Sequence, residues 1–152
     1  MKEGISIKGI VDLYISEKVD NEWVQTQHIK QNQILNNMLN HIVKLLGASE
    51  TQNITKITFG TGLEDTNRTD TSAVMLNTFT KDLNVGGITY PEYNSVKFAF
   101  SLLSAEHNGF DITEYALALT NETIVCRIKR GVVKKTADIR IDGTWEIILD
   151  II

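Results

Sequence analysis

The stretch VKFAFSL, residues 96–102, carries apolar side chains at every second position. These residues are Val96, Phe98, Phe100 and Leu102. A period of two predicts a β-strand with one buried face, because successive side chains of a strand point to opposite sides. We therefore expect Phe98 and Phe100 to lie in a hydrophobic core. The segment 106–109, Glu-His-Asn-Gly, should form the turn that ends the strand.

Four more apolar runs follow towards the carboxyl terminus. They are Ile112–Leu119, Thr123–Lys129, Val132–Ile141 and Trp145–Ile152, separated at residues 120–122, 130–131 and 142–143. Short polar or glycine-containing breaks are typical of turns between strands, so this part of the chain predicts a four-stranded antiparallel meander. The last run has apolar residues on both faces, and we expect it to lie inside the sheet.

The amino-terminal part predicts a β-hairpin followed by a helix. Apolar residues alternate from Ile5 to Ile15, Asp20-Asn21 suits a turn, and Trp23–Ile29 can return as the partner strand. Apolar residues then recur at steps of three and four over residues 33–46, which predicts an amphipathic helix. Asn32 is the expected N-cap and Gly47 the expected left-handed residue at the helix end.

Between the helix and residue 96, the sequence predicts two short strands and two loops. Ile54–Phe59 and Phe79–Val85 have strand character, and Glu64–Ser72 is polar enough to predict an exposed loop. With strands on both sides of a single helix, the fold class is mostly β. We predict one domain over residues 1–152, an antiparallel β-sandwich or open barrel with the helix packed on it.

Composition excludes several classes of partner. The formal net charge is −4, so there is no basic excess to attract nucleic acid or an anionic membrane. Residues 1–8 interleave charged with apolar side chains and lack the continuous apolar stretch of a secretion signal, and we expect the protein to be made in the cytoplasm. The single cysteine, Cys126, lies among apolar residues and should be buried and inert.

Catalytic and metal-binding motifs are not found in the sequence, and we expect neither enzymatic activity nor a cofactor. His28, His41 and His107 are far apart along the chain. The segment 65–70 alternates oxygen-bearing side chains as a calcium loop does, but it lacks the glycine and the glutamate of such a loop. Gly60-Thr61-Gly62 is interpreted as a tight turn and not as a phosphate cradle.

In order along the chain, three sequence segments resemble a layout found in small virion proteins of tailed bacteriophages and in phage-tail-like bacteriocins. The first is the helix followed by Ile54–Gly62 and Thr69-Asp70-Thr71. The second is Val96–Phe100, residues 106–109 and Ile112–Leu117. The third is Cys126-Arg127, Lys134-Lys135-Thr136 and Trp145–Leu149. Ala116 departs from the layout, in which glycine is common at this place.

The resemblance implies a non-enzymatic structural subunit of a phage particle. The expected role is a tail, neck, collar or baseplate-associated protein that forms a homo-oligomeric ring or attaches fibres, located in the virion and assembled with copies of itself and other virion proteins. Alternatives are a capsid decoration or head-fibre protein and a carbohydrate-binding receptor-recognition module. The candidate interaction surface comprises Tyr90, Glu92, Tyr93, Trp145, Ile148 and Ile152.

Overall fold

The computed structural model describes residues 3–152, and these residues form two five-stranded antiparallel sheets and one α-helix. The predicted fold class, mostly β with antiparallel strands and a single helix, is confirmed. The elements are β1 (Ile5–Val19), β2 (Glu22–Gln31), β3 (Gln33–Ile34), α1 (Asn36–Leu46), β4 (Ile54–Gly60), β5 (Phe79–Asp82), β6 (Ile88–Thr89), β7 (Ser95–Leu102), β8 (Asp111–Leu119), β9 (Ile124–Lys134) and β10 (Ile139–Ile151). No helix among residues 3–152 is long and apolar enough to cross a membrane.

The chain divides into two compact units. Unit 1 comprises residues 3–32, 83–108 and 135–152, and its sheet has the strand order β2-β1-β10-β7-β6. β10 lies between β1 and β7 in this sheet, which confirms that the last strand lies inside a sheet. Phe98 and Phe100 are buried as predicted, with 5% and 0% of their surface exposed.

Unit 2 comprises residues 33–82 and 109–134, and its sheet has the order β3-β9-β8-β4-β5. β8 is buried from Ile112 to Leu119, because it lies between two other strands and carries apolar side chains on both faces. The helix α1 lies against β9, with Met38 and His41 as its buried residues. The statement that residues 1–152 form one domain stays a prediction.

The amino-terminal hairpin has the predicted turn, and the helix begins later than predicted. Asp20 and Asn21 have φ angles of 51° and 64°, the left-handed conformation that a two-residue hairpin turn requires. The helix begins at Asn36, after the short strand β3, and Leu35 occupies the N-cap without a side-chain hydrogen bond. The prediction of Asn32 as N-cap is therefore wrong. At the other end Gly47 is the C-cap, but the left-handed residue is Ala48.

The predicted meander is wrong, because two of its three breaks are not turns. Residues 130–131 lie within β9, where the pairing with β8 is irregular between Ile112 and Glu114. Gly143 lies within β10, where a Cβ atom would collide with the ring of Phe100. Of the three strands that cover this region, β8 and β9 pair with each other, whereas β10 belongs to the other sheet.

We expect Gly143→Ala to lower the free energy of unfolding by about 1–3 kcal/mol, because the added methyl group overpacks the site against Phe100. Gly131→Ala is the matched control, since Gly131 also lies in a strand and nothing is within 4 Å of its added Cβ. Chemical denaturation of both variants measures the difference. Equal stability of the two variants would contradict this explanation of Gly143.

Candidate functional site

A buried ion pair links two neighbouring strands of unit 2. Glu114 in β8 and Arg127 in β9 are both 0% exposed. Arg127 donates hydrogen bonds from Nε and Nη2 to Glu114 Oε1, at 3.1 and 2.9 Å. A charge removed from water is costly unless it is paired and hydrogen-bonded, and each of these side chains satisfies the other.

The guanidinium of Arg127 also binds the loop that follows β4. Its Nη1 donates to Asp70 Oδ2 at 3.0 Å and to the carbonyl of Asp65 at 3.3 Å. Its Nη2 donates to the carbonyl of Glu64 at 2.9 Å. Arg127, Glu114 and Asp70 together are called the Arg127 clamp, and residues 61–76 are called the clamped loop. One side chain thus fixes three positions of a loop that has no regular strand.

The second oxygen of Glu114 holds both ends of the clamped loop. Oε2 accepts hydrogen bonds from the backbone N–H groups of Gly62 and Leu76, the latter at 3.1 Å. A Cβ atom at Gly60 would lie 2.7 Å from this oxygen, and one at Gly62 would overlap it. The two glycines are therefore required by the close approach of a buried carboxylate.

The clamped loop is exposed along most of its length, as the sequence predicts for Glu64–Ser72. Within residues 64–72, Asp70 is the buried residue, with 8% of its surface exposed and its Oδ2 also accepting from the N–H of Asn67 at 2.9 Å. Its carboxylate is thus committed to protein partners, unlike a calcium ligand. Among the described residues no group of three or more His, Cys, Asp or Glu is arranged to hold a metal ion.

We expect Asp70→Asn to cost about 1–3 kcal/mol and to accelerate amide hydrogen exchange at Asn67, because a charge-assisted acceptor is lost from a buried site. Asp65→Asn is the control on the same loop. Its carboxylate binds Lys129 at 3.0 Å and is 98% exposed, so its loss should cost less than about 1 kcal/mol. Exchange at Asn67 that is unchanged in Asp70→Asn would argue against the clamp.

A buried lysine fixes a turn of unit 1. Lys135 is 1% exposed, and its Nζ donates to Asn108 Oδ1 at 2.7 Å and to the carbonyls of Ser104 and Thr136 at 3.1 and 3.0 Å. Burial lowers the pKa of Lys135, and the nearby charge of Glu106 partly offsets that effect. The turn predicted at residues 106–109 is therefore held by an ammonium group from a distant part of the chain.

The residues predicted as an interaction surface differ in exposure. Tyr90 and Tyr93 are 76% and 100% exposed, and Glu92 and Ile152 are exposed as well. Ile148 is half-buried. Trp145 departs from the prediction, because it is 0% exposed in β10 and paired with Phe98 and Val11 on the flanking strands. It is a core residue of unit 1.

The cysteine, two of the histidines and a buried tyrosine are further candidate functional groups. Cys126 is fully buried, as predicted. His41 is buried with its Nδ1 3.9 Å from Glu50 Oε2, whereas His28 is exposed on β2. Burial raises the pKa of the Tyr115 phenol, which therefore stays neutral at physiological pH.

Unit 2 also contains an open cleft of about 250 Å³ with a mostly polar lining. Its residues are Thr58, Ser72, Met75, Thr78, Thr80, Asn121, Glu122, Thr123 and Ile124. Hydroxyl, amide and carboxylate groups dominate, and no lining side chain is basic. Such a lining suits a neutral, hydroxyl-rich ligand better than an anion.

Compared with known proteins, the chain matches no family model, no curated protein and no solved structure. The Arg127 clamp was not predicted from the sequence. Its signal was the single charged residue in each of two mainly apolar stretches, Glu114 in residues 112–119 and Arg127 in residues 124–128, since a charge in a buried strand requires a partner.

Proposed function

We propose that the chain is a non-enzymatic structural subunit of a bacteriophage particle. Its role is that of a tail, neck, collar or baseplate-associated protein that assembles with copies of itself or attaches fibres. The observation that carries this proposal is the Arg127 clamp, which brings together residues from all three segments of the resemblance to phage virion proteins.

Each segment contributes to the same buried site. Gly60, Gly62 and Asp70 belong to the first segment, Glu114 to the second and Arg127 to the third. One buried site built from all three segments is what a single shared structural layout would produce. Their convergence supports treating the three segments as one structural layout.

The clamp also suits an assembly role. It gives the exposed clamped loop a fixed backbone without using any exposed side chain of that loop. A loop held in this way can meet a neighbouring subunit with little loss of conformational entropy. Exposed side chains of the loop such as Leu63 and Arg68 can then determine which neighbour is bound.

The number of copies of the chain per particle tests the proposal. Mass spectrometry measures this number in purified virions of a phage whose genome encodes the chain. A ring in the tail, neck or baseplate predicts a small fixed number of copies, about six or twelve, because closed symmetry limits the number of subunits. Hundreds of copies would favour the alternative of a capsid decoration or head-fibre protein. Absence of the chain from the particle would overturn the structural role.

The polar cleft of unit 2 favours a second candidate, a carbohydrate-binding receptor-recognition module. Its hydroxyl-rich lining could exchange hydrogen bonds with a sugar, and Tyr90 and Tyr93 offer exposed aromatic surface elsewhere on the chain. A glycan array tests this candidate, with Thr80→Val as the variant that removes a cleft hydroxyl. Absence of binding across the array would exclude it.

A further inference from the structure

The strand β2 leaves one long edge of the unit 1 sheet without a partner strand among the described residues. It comprises 10 residues, Glu22–Gln31, and pairs with β1 alone. Residues 22–30 are all exposed, including Trp23, Val24 and Ile29 at 47%, 54% and 62%. The outermost strands β3, β5 and β6 are shorter, with 2, 4 and 2 residues.

This edge lacks features that prevent strand addition. β2 contains neither proline nor glycine, and its pairing with β1 runs without a bulge from Glu22 to Gln31. Natural proteins usually interrupt a long exposed edge in one of these ways or with charges, because its free backbone groups are a template for another strand. The charged residues Glu22 and Lys30 stand near the ends of β2.

The hairpin turn determines which backbone groups of β2 face outwards. In a two-residue turn such as Asp20-Asn21, the flanking pair Val19 and Glu22 is hydrogen-bonded, and bonded and non-bonded pairs then alternate. By the same alternation, Lys18 and Trp23 form a non-bonded pair, so the backbone groups of Lys18 must face away from β2. They do, because the N–H of Lys18 donates to the carbonyl of Asp138 at 2.8 Å. The residues of β2 whose backbone groups face outwards are therefore Trp23, Gln25, Gln27 and Ile29.

We propose that two copies of this chain associate by antiparallel pairing of their β2 strands about a two-fold axis at Thr26. In this register, Gln25 of one copy is opposite Gln27 of the other, and the two residues exchange two backbone hydrogen bonds, each donating one and accepting one. Trp23 is opposite Ile29, and Glu22 is opposite Lys30. Each contact occurs twice, as two-fold symmetry requires.

Side-chain complementarity selects this register over its neighbours. The outward backbone groups could also pair about Gln25 or about Gln27. The first places Trp23 opposite Gln27, and the second places Ile29 opposite Gln25. Only the register about Thr26 places apolar opposite apolar and acid opposite base, which are the favourable cross-strand pairs.

This pairing does not depend on the virion role. A two-fold contact of this kind closes on itself, so a ring would use a different surface. Failure of the dimer would leave the particle assignment untouched, and absence from virions would leave the dimer untouched.

Sedimentation velocity from micromolar to millimolar concentration tests the proposal with three variants. We expect a dimer for the natural sequence. Gln25→Pro should be monomeric with an unchanged circular dichroism spectrum, because the N–H it removes faces outwards and an edge strand tolerates proline there. Glu22→Lys should weaken dimerisation about tenfold, because two ion pairs become like-charge contacts. Glu22→Lys combined with Lys30→Glu should restore it.

A natural sequence that stays monomeric throughout would overturn the proposal, as would a dimer that Gln25→Pro leaves intact. If Gln25→Pro unfolds, the charge variants decide. A double variant as weak as Glu22→Lys would then exclude the register about Thr26.

Discussion

Replacing Arg127 with methionine should lower the free energy of unfolding by about 3–5 kcal/mol, because it leaves a buried carboxylate without its partner. Glu114 is 0% exposed and receives two of the hydrogen bonds of Arg127. The same change frees the carbonyls of Glu64 and Asp65, so the clamped loop should exchange its amide hydrogens faster. Urea denaturation and hydrogen exchange measure the two effects.

Arg130→Met is the matched control for this experiment. Arg130 lies on the same strand and is half-buried, and the change in charge is identical. We expect its effect to stay within about 0.5 kcal/mol. Adding Glu114→Gln to Arg127→Met should recover part of the loss, because the uncompensated charge disappears. An Arg127 variant as stable as the Arg130 variant would contradict the clamp.

Phe100→Ala should destabilise the protein by about 3–5 kcal/mol, because the ring is 0% exposed and its removal leaves a cavity in the core. The ring lies over Gly143 of β10, and that glycine is the position where a side chain would collide with it. Lys97→Ala, on the same strand and half-buried, should cost much less. Thermal or urea denaturation gives both values, and a loss below about 1 kcal/mol for Phe100→Ala would contradict its core position.

Local patterns in the sequence predicted the elements whose structure depends on local chemistry. Alternating residues gave β1 and β7, and the Asp20-Asn21 turn follows from the tolerance of Asp and Asn for left-handed backbone. The helical periodicity located α1 correctly at its carboxyl end. These features require no knowledge of distant residues.

Features that depend on long-range contacts could not be predicted in this way. Asp142-Gly143 has the composition of a turn, yet both residues lie in β10. Position 143 is a glycine because the ring of Phe100, more than 40 residues earlier in the chain, occupies the space that a side chain would need. The glycines at 60 and 62 similarly serve the carboxylate of Glu114. Only the folded structure brings these partners together.

The position of β10 between β1 and β7 has a consequence for synthesis on the ribosome. Ile5 of β1 pairs with Ile151 of β10, so the unit 1 sheet cannot form until nearly the last described residue has emerged. Unit 2 ends at residue 134 and can form its own sheet earlier. Until then β1, β2 and β7 lack their central strand and expose unpaired strand edges and apolar side chains. During this interval the nascent chain is prone to aggregation and depends on chaperones.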